Sequence, residues 1–420
     1  MTDPIDVHAL IARNRAGEAV GLPCFCTANE HVLRAVLALA ARTGHPTVIE
    51  ATCNQVNQDG GYTGMTAADF MGWLQGLAAE AGVPMGQLVL GGDHLGPNPW
   101  RAEPAETAME KARALVRSYV EAGFRKIHID ASMACGGEAP PSFERIAERA
   151  ADLCAVAEAH APDPSALVYV IGTEVPIPGG ETEEPAALDV TSTGRFERTI
   201  ATHRAAFAAR GLDRVWPRIV SVVTQPGVDF GHTSVFPFVS EKAAHLRGAI
   251  LREPGLTLEA HSTDYQPGAA LAQLVEGHFF FLKVGPELTF RLREALFALA
   301  RIEEALDVAA PSDLRAVLEA RMTAAPGHWQ DYYGGSEAER ARLRVYSYSD
   351  RIRYYWSDPE VAAAVDRLFA NLDGELPATL VSQHFQAHEF GAIPRRAADL
   401  VAAHVNRCTV RYFAAAGFPA

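Results

Sequence analysis

Eight short, β-rich apolar runs alternate with helical patterns along the first three quarters of the chain. No other feature limits the fold as much. The runs are 21–28, 46–53, 88–93, 126–132, 167–174, 218–224, 256–262 and 279–285. Several are near-continuous apolar stretches, as parallel strands buried on both faces require. Amphipathic helix patterns fill 29–43, 66–82, 104–122, 141–160, 195–210 and 288–309. Their ends carry stop and start chemistry. Gly44 suits the position after a helix, Thr66 with Asp69 forms a capping box, and Pro104 opens a helix that stops at Gly123. Strand–helix alternation specifies parallel βαβ units. Eight of them predict an α/β protein with a (β/α)8 TIM barrel over 1–310. An open doubly wound sheet is the rival, weakened because no GxGxxG follows the first strand. Residues 311–420 lose the alternation. They hold the aromatic and arginine cluster YSYSDRIRYYW (346–356) and a helix pattern at 359–371, which predicts a helical C-terminal extension packed on the barrel. The acidic PGGETEEP segment (178–185) reads as a long loop after the fifth strand.

Charge narrows the partners. Lys and Arg number 37 against 51 Asp and Glu, a formal charge of −14, so neither nucleic acid nor an anionic membrane is expected to bind a broad basic surface. Hydrophobic residues at 48% are enough for a large core and exclude a disordered chain. The N-terminus lacks a basic segment followed by an apolar one, and no run nears the ~18 apolar residues of a membrane span. Cys24, Cys26, Cys53, Cys135, Cys154 and Cys408 form no CxxC pair and read as buried thiols of a reducing cytoplasm.

Catalysis in such a barrel gathers at the C-terminal ends of the strands. Polar residues gather there along this chain. Glu50, Asn54 and Gln55 follow the second strand, Asp93 and His94 the third, Asp130 and Ser132 the fourth, and Glu174 the fifth. Asp229 and His232 follow the sixth, His261, Ser262 and Asp264 the seventh, and Lys283 lies in the eighth. Imidazole suits zinc, nickel, cobalt or manganese, and a catalytic site commonly keeps three protein ligands and an open position. His94, His232 and His261 are the candidate ligands, with Glu174 as a fourth ligand or an acid/base. His8, His31, His160, His203 and His245 fall on helical or terminal stretches and read as surface residues.

The segments GGDHLGPNPW (91–100), IHIDASMACGG (127–137), VIGTEVPIPGG (170–180), AHSTDYQ (260–266), FLKVGPELTFRLREALFAL (281–299) and 346–356 resemble the non-catalytic Z subunits of tagatose-bisphosphate aldolase, the GatZ/KbaZ family. The resemblance spans nearly the whole chain. It implies a TIM barrel related to class II aldolases. It also implies one divalent metal, zinc first among the candidates, and either of two roles. One is a D-tagatose/D-fructose 4-epimerase; the other is an accessory subunit that supports a separate catalytic aldolase subunit acting on tagatose 1,6-bisphosphate. Older labels of the family as tagatose 6-phosphate kinases find no support, because the chain has no GxxxxGK[ST] and no glycine-rich loop paired with a lysine strand. The resemblance implies that Asp93 moves protons, that His94, His232 and His261 bind metal, and that Glu174 stands where some class II aldolases have a further metal-binding glutamate.

These residues suit retro-aldol chemistry. A metal polarising a ketose carbonyl and a carboxylate near the C4 hydroxyl would break C3–C4. Release of the aldehyde gives an aldolase, and re-addition to its other face gives a 4-epimerase. Asp93 is the first choice for the carboxylate, with Asp130 and Glu174 as alternatives. Asn54, Gln55 and Ser132 are expected to meet sugar hydroxyls. Asp264 stands where class II aldolases carry glycine, and its charge would repel a phosphate. That favours an unphosphorylated ketohexose, with Lys283 as the counter-argument, since it could bind phosphate or neutralise Asp264. The 346–356 cluster suits either a subunit interface or a cover over the barrel mouth, where Arg351 or Arg353 would touch substrate. A homo-oligomer is expected.

Overall fold

The computed structural model describes residues 4–176, 188–386 and 394–418. The loop expected at 178–185 lies outside the described residues. Eight parallel strands close into a barrel. They are β1 (Leu22–Cys26), β2 (Thr47–Thr52), β3 (Leu88–Leu95), β4 (Lys126–Ile129), β5 (Val168–Ile171), β6 (Ile219–Val223), β7 (Thr257–Ala260) and β8 (Phe279–Val284). Each pairs with its neighbours in sequence, and β8 returns to β1 with Phe281 opposite Leu22 and Val284 opposite Phe25. All eight coincide with the apolar runs.

A helix follows every strand: α2 (Glu30–Thr43), α3 (Ala67–Ala81), α4 (Ala105–Glu121), α5 (Phe143–His160), α6 (Thr193–Ala209), α7 (Ser240–Ile250), α8 (Gly268–Glu276) and α9 (Pro286–Ala305), with α1 (Val7–Arg15) ahead of β1. The caps work as their residue types require. Asn29 accepts from the Val32 N–H at the start of α2, Gly44 ends it at φ 70°, and both halves of the Thr66–Asp69 capping box form at α3. The patterns passed over α1, α7 and α8, which are short. Among α7's buried residues only Leu246 and Ile250 are larger than alanine, and α8 opens on a glycine.

The two ends of the barrel differ. At the N-terminal end Val7 and Ile11 of α1 pack with Leu22, Val48, Val89, Val168, Val220 and Phe280, an apolar plug built from the first residues of six strands. Charge begins above that plug. The extension contains α10 (Leu314–Ala324), α11 (Glu337–Tyr346), α12 (Pro359–Asn371), α13 (Ala378–Phe385) and α14 (Ala397–Ala415). Helix α14 packs against α2, α8 and α9, so the extension closes the outer ring of helices between the first and last strands. It buries Leu400, Val405, Tyr412 and Phe413, at roughly 1.5–3 kcal/mol for each large side chain, and the Tyr412 hydroxyl donates to the Thr263 carbonyl at 2.6 Å. Among the described residues no helix is long and apolar enough to cross a membrane.

One glycine has no alternative. A Cβ at Gly96, just after β3, would overlap the carbonyl oxygen of Asp130, just after β4, while the Asp130 N–H already donates to Leu95 at 3.0 Å. Gly96→Ala must therefore push two strand ends apart. It is expected to cost about 2–3 kcal/mol in a urea unfolding experiment.

Candidate active site at the C-terminal end of the barrel

Successive residues of a strand point to opposite faces, so Lys126, His128 and Asp130 share one side, as do Glu259 with His261 and Phe281 with Lys283. Their contacts cross the barrel. Lys126 Nζ lies 2.6 Å from Glu50 Oε1 and 2.7 Å from Glu259 Oε2, and all three side chains are fully buried. Burial works against the Lys126 charge, but Glu259 and Glu50 hold its pKa well above the ordinary value. Burial likewise pushes Glu50 and Glu259 up, and Lys126 above all pulls both below the usual carboxylate range. Lys283 Nζ contacts Asp93 Oδ1 and lies 3.6 Å from Glu50 and 3.9 Å from Glu259. An ionic layer thus occupies a position that most barrels fill with branched aliphatics.

Three imidazoles sit above it. The rings of His94, His128 and His261 are 4.9, 5.0 and 5.1 Å apart, centre to centre. Each has a carboxylate on one nitrogen at 2.8 Å: Asp130 on His94 Nδ1, Asp93 on His128 Nδ1 and Glu259 on His261 Nε2. Metal-ligating histidines are typically oriented this way, with the other nitrogen left for the ion. The His128 Nε2 atom is buried and has no hydrogen-bond partner among the described residues. Ligand atoms of Asp93, His94 and His128 lie within 4.8 Å of one another, as do those of His128, Glu259 and His261. Burial, and then His94, lower His128 to about 4. Burial also brings His261 to about 4, against the pull of Glu259. Both rings are therefore neutral at pH 7, the form that binds metal. Burial pushes Asp130 up, but its hydrogen bond from His94 and that ring's charge overcome this and bring it to about 2. His94 and Ser262 adopt left-handed backbone, φ 50° and 51°, which costs a non-glycine residue about 1–2 kcal/mol. His94 belongs to the cluster and Ser262 follows His261 in it, and strained residues gather at working sites.

A cavity of about 520 Å³ opens above the imidazoles. Asp93, His94, His261 and Lys283 form its barrel side, and Ser349, Arg353, Tyr354 and Trp356 of the extension form part of its wall. The 346–356 cluster therefore covers the barrel mouth. Asn54, Gln55, His232 and Asp264 also line this cavity. Gln55 Oε1 accepts from the Thr52 N–H at 2.9 Å, and Asn54 Oδ1 from Asn98 Nδ2 at 3.3 Å.

Other expected residues stand apart. His232, carried on the loop between two short antiparallel strands (Asp229–Phe230 and Val235–Phe236), places Nδ1 3.0 Å from Ser349 Oγ and is outside the imidazole cluster. Glu174 pairs with Arg195 at 2.6 Å and lines no part of the cavity. Ser132 directs its hydroxyl and N–H to Asp130 Oδ1, at 2.6 and 3.1 Å, so it orients that carboxylate, and it is not among the residues lining the cavity. Repulsion of a phosphate by Asp264 requires a carboxylate free to face the substrate. In the structure the Asp264 side chain accepts from the N–H groups of Gly285 (3.0 Å) and Glu287 (2.7 Å) at the start of α9. Burial raises it to about 7, against those two donors. Two histidines read as surface residues are not: His203 is fully buried with Nδ1 2.8 Å from the Thr199 carbonyl, and His31 is half-buried against Phe369 and lines the cavity.

Lys126, His128 and Glu259 were not singled out from the sequence. A signal was present: polar residues at spacing two in K-x-H-x-D and E-x-H, inside strands that should be apolar on both faces. That pattern means inward-facing polar groups once the barrel is closed.

Comparison with known proteins shows the family. The family model for D-tagatose-1,6-bisphosphate aldolase subunit GatZ/KbaZ-like proteins matches residues 7–417. A D-tagatose 6-phosphate 4-epimerase of Agrobacterium fabrum is 46% identical over 416 residues, 97% of each chain. The D-tagatose-1,6-bisphosphate aldolase subunit GatZ of Salmonella enteritidis PT4 is 46% identical over 379 residues, 89% of each. A crystal structure described as a probable tagatose 6 phosphate kinase from Sinorhizobium meliloti superposes with a TM-score of 0.87 at 44% identity, covering 94% of this chain and all of that one. With one family model matched along almost its entire length and relatives this close, the chain belongs to the GatZ/KbaZ-like family.

Proposed function

We propose that the chain is a ketohexose 4-epimerase that interconverts D-tagatose 6-phosphate and D-fructose 6-phosphate by breaking and remaking the C3–C4 bond. The observation that carries this reading is the convergence of Asp93, His94, His261 and Lys283 on one cavity at the catalytic end of the barrel. The Agrobacterium relative's name supports the same sugar and the same carbon.

His94 and His261 would hold a divalent metal, zinc, nickel, cobalt or manganese by their chemistry. The structure offers His128 as the third ligand through its unpartnered Nε2, and the family resemblance offers His232. Metal content of the His128→Gln and His232→Gln chains separates the two. When bound, the ion would polarise the C2 carbonyl and stabilise the enediolate that C3–C4 cleavage leaves behind. Asp93 takes the C4 hydroxyl proton, the C3–C4 electron pair moves towards C2, and glyceraldehyde 3-phosphate separates. Asp93 suits this role better than the alternatives. Asp130 lies outside the cavity lining with both oxygens engaged, and Glu174 is paired with Arg195. The wall from the extension retains the aldehyde while its carbonyl turns. Re-addition to the other face inverts C4, and Asp93 returns the proton.

The Salmonella relative supports a second reading, an accessory subunit of a class II aldolase. One experiment separates them. The purified chain, loaded with each metal in turn, is incubated with D-tagatose 6-phosphate and followed by 31P and 13C NMR. Conversion to D-fructose 6-phosphate, abolished by a chelator and restored by metal, is expected. No conversion, with aldolase activity appearing only when a catalytic subunit and the bisphosphate are added, would establish the accessory role. Six free cysteines, five of them buried, fit the cytoplasmic placement we propose.

A further inference from the structure

A phosphorylated substrate needs a cation or an anion hole for its phosphate, and the usual place in a barrel is filled. Phosphate commonly sits on the loops after strands seven and eight and on a helix N-terminus. Here the Asp264 carboxylate accepts the N–H groups at the start of α9, and the Glu287 carboxylate beside it accepts the Tyr265 N–H at 2.6 Å. A phosphate arriving there would find those N–H groups already bonded to the chain's own carboxylates.

Among the described residues lining the cavity, the Lys and Arg side chains are Lys283 and Arg353. Lys283 is engaged with Asp93 and has Glu50 and Glu259 within 4 Å. Arg353 has no carboxylate within 4 Å among the described residues. Its guanidinium is held instead by neutral oxygens: the Ser349 carbonyl, the Asp350 carbonyl at 3.2 Å and the Tyr354 hydroxyl at 2.9 Å. It stacks over the Tyr354 ring at 4.4 Å. Tyr354 in turn meets Tyr62, on the loop after β2 that carries Asn54 and Gln55, at 4.8 Å. The acid whose charge reaches it is Asp350, which is itself engaged by Arg293 and Thr289, and a half-buried, oriented guanidinium on a substrate cavity suits a phosphate.

We infer that Arg353 binds the phosphate monoester at C6 of the ketohexose while C2 to C4 lie at Asp93, His94 and His261. Specificity for the phosphorylated sugar then comes from the C-terminal extension and not from the barrel loops. This rests on the reading proposed above. Arg351 is excluded from the role, because its guanidinium bonds the His328 carbonyl and packs over Tyr332, away from the cavity lining.

The test compares the wild type with Arg353→Met and Arg353→Lys on ketohexose 6-phosphate and on the free ketohexose. Arg353→Met is expected to raise KM for the phosphorylated sugar about 100-fold with kcat within a few-fold, and to lower the phosphorylated-to-free ratio of kcat/KM by a similar factor. Arg353→Lys should recover part of the loss. Inorganic phosphate should inhibit the wild type competitively and Arg353→Met far more weakly. Equal losses on both sugars would make Arg353 merely structural, and an unmoved KM would place the phosphate elsewhere; either overturns the inference. If the wild type converts neither sugar, the epimerase reading fails separately. Calorimetric titration with inorganic phosphate then decides, since binding lost in Arg353→Met supports the site and equal or absent binding in the wild type overturns it. If Arg353→Met does not fold, the comparison with Arg353→Lys carries the test.

Discussion

Asp93→Asn is expected to keep its fold and its metal while losing about three orders of magnitude in kcat, within the range general-base catalysis supplies. The amide has the shape of the carboxylate and still meets His128 and Lys283, but it cannot accept a proton from a hydroxyl. KM should move little, because no binding contact is removed. Steady-state kinetics together with metal analysis of the same sample checks this. A variant that loses metal along with activity would make Asp93 a ligand and not the base. Full activity would move the proton transfer to another group, and neither Asp130, at about 2 and turned to His94, nor Glu174, paired with Arg195, is placed for it.

Lys126→Met is expected to destabilise the barrel by about 3–5 kcal/mol at pH 7, the cost of leaving buried charge unpaired. Methionine fills much of the space over the Phe281 ring, 4.6 Å from the ammonium in the wild type. It leaves Glu50 with the Cys26 thiol at 3.1 Å and Lys283 at 3.6 Å, and Glu259 with His261 at 2.8 Å and Lys283 at 3.9 Å. The pH dependence should reverse. In the wild type Glu50 has a folded pKa below its unfolded value of roughly 4.3. Its stabilisation is present above that value and is lost as pH falls through the lower folded pKa. In Lys126→Met the largest offset to burial is gone, so the two carboxylates are expected to have folded pKa values above the unfolded ones. The variant should therefore gain stability as pH falls from 7 to 5, where the wild type gains none from this layer. Urea unfolding at both pH values checks the sign. Equal stability at pH 7 would mean that the carboxylates find other partners.

Much of the barrel was legible because its information is local. Eight apolar runs, each followed by a helix, admit few arrangements, and the caps at Asn29 and Thr66 form as their side chains require. The short helices α7 and α8 escaped because they bury few large side chains, and their stability comes from the surface they pack on. At the site, the polar residues at strand ends were legible as a set, since every βα loop of a barrel faces the same side. Their individual directions were not. Asp264 turns to the start of α9, Ser132 to Asp130 and Glu174 to Arg195, and these choices depend on loop backbone and on neighbours distant in sequence.

By itself, then, the sequence determined the order of strands and helices, the closed parallel barrel that this order implies, and the end of it that carries chemistry. Hydrophobic periodicity and capping act over a few residues, so one chain read in order contains them. Only the tertiary structure decided that Lys126 joins Glu50 to Glu259, that His128 stands with His94 and His261, and that the extension brings Arg353 to the cavity. Those contacts join residues separated by tens to hundreds of positions. A buried charge accepts a partner by distance in space, which barrel closure and the packing of the extension set and which no local pattern records.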